Sequence, residues 1–317
     1  MLSTFSYKSK QFWWLVLKLL ILGLLGYFIY NTLTNNTKIT WEEFYIRFQN
    51  SSVHNPTVFL VLLTLTTLNW MLEIYKWQML SREVTPISYQ EAAKQSLASH
   101  AFALITPNRI GEYGAKALFY AQSFRKQILT LNFIGNIHQL GISMIFGCFG
   151  LVSLKVYFPS VKIPLGYDRL LIIPGLIILI FLFRRRIPFL QRWLNVFSIG
   201  THINRSKLHR LVLFLSCMRY LVFMHQFFYL LMSFGIDIPY LEALSLIASV
   251  YLISSIIPML AMFDFVVKGS VAVFIFSFWG CPPLIILSVT TLMWLLNFVF
   301  PAVIGSYYVL KFNPIES

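Results

Sequence analysis

Four stretches of this chain, Phe12–Tyr30, Val58–Leu80, Leu211–Phe234 and Leu284–Leu310, run almost without interruption through apolar residues. A helix rises 1.5 Å per residue, so roughly 20 such residues cross the ~30 Å hydrocarbon core of a bilayer. A water-soluble fold would have to bury all of these helices in one core, which a chain of 317 residues cannot do. Composition agrees. Charged residues are 11% of the chain, against about 25% in a soluble domain, and mean hydropathy is +0.72. The chain reads as an all-α integral membrane protein, a single domain over residues 1–317.

Lys8 and Lys10 precede the first apolar run as they would in a signal peptide. The run is longer than the 7–15 residues of such a segment and no small-residue cleavage site follows, so it is expected to be the first span. Cys148, Cys217 and Cys281 stand alone in apolar sequence, without the spacing of a disulfide framework or a metal site. The net charge of +14 comes largely from loops between spans. There it sets topology and meets anionic headgroups, which argues against nucleic acid as the partner.

Basic residues collect on the cytoplasmic side of a membrane. Lys8, Lys10, the loop 184–210 (Arg184, Arg185, Arg186, Arg192, Arg205, Lys207 and Arg210) and Lys311 should therefore share that side. This puts both termini in the cytoplasm. Thr40-Trp41-Glu42-Glu43 is a capping-box pattern, and Phe44, Tyr45 and Phe48 follow at helical spacing. A short helix on the outer interface is expected there, and a second on the inner one from Leu190, Trp193, Leu194 and Phe197.

Two segments, 91–122 and 242–279, each contain two short apolar halves separated by a break, at Pro107 and at Pro258. As full spans they would put the basic loops on alternating sides. As re-entrant hairpins they leave about six spanning helices, near 12–30, 57–80, 127–154, 169–184, 211–234 and 284–310. Every strongly basic loop then lies inside. Both segments also run from a proline break to an acid and then to a lysine four residues on, Glu112/Lys116 and Asp264/Lys268. This similarity suggests an inverted repeat of the kind found in transporters.

An acid and a lysine at i and i+4 share one helix face. A lone charge near the bilayer centre costs about 2.5–3.5 kcal/mol on insertion scales. These residues are therefore expected to pair or to meet an ionic ligand. On the first reading they only hold the hairpins in the bundle. On the second, Arg109, Glu112, Lys116, Asp264 and Lys268 line one polar cavity where the bases and the helix N-termini after each proline bind a phosphate. Glu73, with Lys76, either reaches the inner interface or joins that cavity. His100 and His138 read as core histidines, and Ser254 and Ser255 as partners of the backbone break or of a ligand. Nucleophile elbow, zinc-protease, P-loop and dinucleotide signatures are absent. No catalytic residue, metal or cofactor is expected.

Thr106-Pro107-Asn108-Arg109-Ile110-Gly111-Glu112-Tyr113-Gly114-Ala115-Lys116, together with Asn69-Trp70, Glu73 and Lys76-Trp77, resembles the lysylphosphatidylglycerol synthase transmembrane-region family. That family is the flippase-like part of the bacterial multiple peptide resistance factor and its stand-alone relatives. The resemblance extends over nearly the whole chain but departs at Asp264 and Lys268, where relatives tend to carry Glu and Arg. It implies re-entrant helices and the movement of lipids across the bilayer. It does not imply lysyl-lipid synthesis, because these 317 residues hold no soluble aminoacyl-transfer domain. The expected function is a flippase-like protein that binds and translocates a phospholipid or a polyprenyl-phosphate-linked lipid. Two alternatives are a membrane enzyme acting on lipid phosphates, with Glu112 or Asp264 as base, and a membrane scaffold for a separate lipid-modifying enzyme.

Overall fold

The computed structural model describes residues 40–104, 106, 109–159, 205–257 and 263–311, with isolated positions between 16 and 34. Among the described residues the regular structure is entirely helical: α1 (Trp41–Asn50), α2 (Pro56–Ser81), α3 (Tyr89–Leu104), α4 (Ile110–Leu118), α5 (Arg125–Tyr157), α6 (Arg205–Ser233), α7 (Tyr240–Ile256), α8 (Asp264–Phe276), α9 (Pro283–Trp294) and α10 (Phe300–Leu310), with short 3₁₀ turns and one π-helical segment. Four stretches, Pro56–Ser81, Arg125–Tyr157, Lys207–Ser233 and Pro283–Leu310, are long and apolar enough to cross a membrane. They coincide with four of the six expected spans. The expected spans near 12–30 and 169–184 lie outside the described residues, as do the helix over 190–197, most of the loop 184–210 and both breaking prolines, Pro107 and Pro258.

Helix α1 forms where its capping box predicts. Thr40 Oγ1 accepts from the Glu43 N–H, and the Glu43 carboxylate accepts from the Thr40 N–H. Trp41, Tyr45 and Ile46 stand exposed, while Phe48 turns inward onto Phe234, ring centres 6.1 Å apart. Helix α2 starts at Pro56, whose missing N–H suits the first turn, and the Asn55 side chain accepts from the Thr57 N–H.

Lipid is as apolar as leucine, so membrane helices associate through close packing and polar contacts. Helices α5 and α7 meet at Gly147 and Gly150. A Cβ on Gly147 would fall 2.3 Å from the Cβ of Leu252, and one on Gly150 would fall 2.7 Å from the Ser245 carbonyl oxygen. Helix α10 approaches α3 closer still, since a Cβ on Gly305 would fall 2.0 Å from the Leu97 carbonyl oxygen.

The two segments expected as hairpins each fold as helix, break, helix. The arms α3 and α4 pack on one another, and so do α7 and α8. The nine residues of α4 extend about 14 Å, less than half the hydrocarbon thickness. At the start of α4, Arg109 is left-handed (φ 59°), a conformation few non-glycine residues adopt. Thr106 fixes this turn by accepting from the Gly111 N–H at 2.8 Å. Ser254 and Ser255, just before the second break, donate to the carbonyls of Val250 and Leu252 in their own helix.

The last span widens into a π-helix over Leu295–Val299. Pro301 explains why: it has no N–H to give to the Asn297 carbonyl four residues back, and its ring crowds that oxygen. The carbonyls around the bulge are taken up from outside the helix. Trp70 Nε1 donates to Asn297 O at 3.2 Å and His100 Nε2 to Phe298 O at 3.1 Å.

Candidate functional site

Thr66, Asn69, Glu73 and Lys76 recur at helical spacing along one face of α2, and all four are buried. Residues this polar inside a membrane bundle need partners. The first comes from α6, where Arg219 Nε donates to Asn69 Oδ1 at 2.8 Å and Nη1 to Glu73 Oε2 at 2.5 Å. Lys76 Nζ lies 2.7 Å from the same carboxylate oxygen, an ion pair without hydrogen-bond alignment. Behind them the Asn297 amide donates to Gln226 Oε1 and accepts from Asn69 Nδ2, and Gln226 donates to Thr66 Oγ1. Since Arg219 can only donate, it fixes the Asn69 oxygen toward itself, and the amides behind follow in order.

A second group faces the first from α4. Glu112 Oε2 is 3.0 Å from Arg109 Nη2, and its Oε1 is 3.1 Å from Lys116 Nζ. Lys116 also donates to Asn132 Oδ1 on α5 at 2.8 Å. Its ammonium sits 4.4 Å from the centre of the Trp77 ring, a favourable place for a cation. Gln95 holds that ring in place by accepting from Trp77 Nε1 at 2.8 Å.

Each carboxylate is thus shared by one lysine and one arginine. The two triads, Lys76–Glu73–Arg219 and Lys116–Glu112–Arg109, line or adjoin one cavity whose walls are Trp70, Glu73, Ser96, His100, Arg109, Glu112, Lys116 and Arg219. His100 is the neutral Nε2–H tautomer, because Nε2 donates to a carbonyl and Nδ1 faces Arg109 Nη2 at 3.3 Å. Four cations therefore stand against two carboxylates. The lysines and glutamates are buried, whereas the arginine side chains are the accessible members, Arg219 at 15% and Arg109 at 45%.

Of the residues singled out in the sequence, Arg109, Glu112, Lys116 and Glu73 come together here. Glu73 joins the cavity and does not run to the interface. Asp264 and Lys268 do not join it. They pair with each other at 2.6 Å, their side chains 30% and 37% exposed, and among the described residues neither lines the cavity. The expected single cavity shared by both acid–lysine motifs is corrected accordingly. Asp264 is the first residue of α8 and is satisfied by Lys268 one turn along its own helix, so it needs nothing from α4. A row of aromatic rings runs between α8 and Arg109 instead. Phe265 lies 4.9 Å from Trp294, Trp294 6.3 Å from Phe298, and Phe298 5.8 Å from the Arg109 guanidinium.

His100 is thus a wall of the site as well as a core residue. His138 donates to the Ile134 carbonyl and stacks on His209. Arg219 is the principal residue the sequence reading passed over, although an arginine within the run Leu211–Phe234 is itself a signal.

The fold and site define a helical membrane protein with a charged cavity inside its bundle. Comparison with protein-family models, curated proteins and solved structures finds no match.

Proposed function

We propose that the chain is a flippase-like membrane protein that binds the phosphate-bearing headgroup of a lipid between its two triads and carries it across the bacterial cytoplasmic membrane. The observation that carries this reading is four cations gathered on two carboxylates around one small cavity, with the arginines as its accessible members. Arginine presents a planar fork that matches phosphate oxygens in pairs. Four cations sharing two carboxylates leave a net positive field that attracts an anion. The resemblance to the lysylphosphatidylglycerol synthase transmembrane region points to the same activity.

The segments 91–122 and 242–279 act in this proposal as re-entrant hairpins, each entering and leaving by one face. The shortness of α4 and the packing of each pair of arms support this. Both termini lie in the cytoplasm, on the side of the basic loops.

The test is reconstitution of the full chain in liposomes containing a fluorescent anionic phospholipid, with a membrane-impermeant quencher outside. Protein-dependent loss of the inner-leaflet signal, abolished by Arg219→Gln at equal protein incorporation, is the expected result. A rate equal to that of protein-free liposomes sinks the proposal, and a covalently altered lipid would replace it with an enzymatic one.

A further inference from the structure

Resting on that reading, we infer that the site selects a headgroup ending in a phosphomonoester, a terminal phosphate with two negative charges, over the phosphodiester of ordinary phospholipids. Charge is the first argument. Lys76 and Arg219 share the Glu73 carboxylate and Lys116 and Arg109 share that of Glu112, a formal excess of two positive charges. A dianion neutralises that excess, whereas a diester, with one charge, leaves one positive charge unmatched.

Shape is the second. Trp70, Glu73, Ser96, His100, Glu112 and Lys116 are each at most 8% exposed, so the cavity is closed on those sides, and its most open wall is Arg109. The space between these walls is only about 10 Å³, so a headgroup meets the site from the Arg109 side, and a terminal phosphate does so with its single substituent trailing outward. A diester has a second substituent to place against those buried walls.

Donor count is the third. The Ser96 hydroxyl lines the pocket, is 97% buried (3% exposed) and has no hydrogen-bond partner. With Arg109, Arg219 and Lys116 it gives the pocket a donor for a third terminal oxygen, which a diester does not possess.

Phosphatidic acid and a polyprenyl monophosphate carry the same terminal group, and the experiment separates them. Binding of dioctanoyl phosphatidic acid, farnesyl monophosphate and dioctanoyl phosphatidylglycerol to the purified full chain is followed by tryptophan fluorescence at pH 8 and pH 5. A phosphomonoester takes up its second proton near pH 6, while the diester keeps one charge throughout and reports any titration of the protein itself. The charged and titratable groups in or beside the pocket are Glu73 and Lys76 from α2, His100 from α3, Arg109 just before α4, Glu112 and Lys116 from α4, and Arg219 from α6. At pH 8 at least one monoester should bind tenfold or more tighter than phosphatidylglycerol, and the ratio should approach one at pH 5. Whichever monoester binds better identifies the source. Arg109→Asn, which keeps a side chain tolerant of the left-handed turn, should shrink the pH 8 ratio by about an order of magnitude (one lost charge contact at roughly 1.4 kcal/mol per decade). Equal binding of mono- and diesters, weakened together by Arg109→Asn, would overturn this inference and leave the proposed function standing. A preference that persists unchanged at pH 5 would overturn it as well. If none of the three lipids binds, the headgroup-binding reading itself fails.

Discussion

Arg219 reaches across 146 residues of sequence to bring its guanidinium within 2.5 Å of the Glu73 carboxylate. Lys76 shares that carboxylate from the other side, so removing the acid and removing the arginine are unequal changes. Glu73→Gln leaves two cations adjacent in the bundle without a counter-charge. Arg219→Gln leaves Glu73 still paired with Lys76. Breaking a buried pair so that a charge is stranded costs about 3–5 kcal/mol. Glu73→Gln should approach that loss and Arg219→Gln should lose under half of it, measured by denaturant unfolding in detergent micelles. Equal losses would show that the two triads are not wired as described.

The second triad makes a prediction about polarity. Exchanging Glu112→Lys with Lys116→Glu preserves an acid and a lysine one turn apart. It also puts a lysine beside Arg109 and a carboxylate over the face of Trp77, where the ring's electron density repels it. The exchanged protein should reach well under half the wild-type level in membranes, as read by quantitative blotting. Accumulation at the wild-type level would mean that Arg109 does not constrain the sign at position 112, nor Trp77 that at position 116.

Glycine substitutions separate contact from propensity. Gly305→Ala pushes a methyl group against the Leu97 carbonyl and should cost at least the 1–3 kcal/mol typical of overpacking. Gly141→Ala, on α5 with nothing within 4 Å, should be neutral or gain up to about 1 kcal/mol of helix propensity. Thermal inactivation of the two variants, compared side by side, checks both.

The π segment predicts a coupling. Trp70→Phe removes the indole donor from Asn297 O and should cost about 1–3 kcal/mol for the stranded carbonyl. In a Pro301→Ala background the restored N–H can take that oxygen, and the same change should cost less by about 1 kcal/mol. A double-mutant cycle giving zero interaction would detach Pro301 from the bulge.

Much of this arrangement is legible in the chain itself. The capping box at Thr40 and Glu43, the four long apolar stretches and the Glu112/Lys116 spacing all depend on residues within a few turns of one another, and local physics determines them. The partners of those residues are another matter. Nothing near Glu73 in sequence announces Arg219, and nothing near Asn69 announces Asn297, because such pairings are set by how helices stack. Asp264 and Lys268 illustrate the opposite error. Their spacing repeats that of Glu112 and Lys116, but a matching local motif carries no information about which way its helix faces. The lone arginine at 219 held more information than the repeated pair, since a charge inside an apolar stretch must find its answer elsewhere in the bundle.

The widened stretch Leu295–Val299 also sets the rotational phase of everything after it. One extra residue in a turn rotates the rest of a helix by about 100°. Gly305 meets Leu97 only because that offset has been added, and the same offset exposes the carbonyls that Trp70 and His100 occupy. A one-codon deletion within the stretch would therefore act on two distant interfaces at once, swinging a larger side chain into the α3 contact while withdrawing the acceptors beside the cavity.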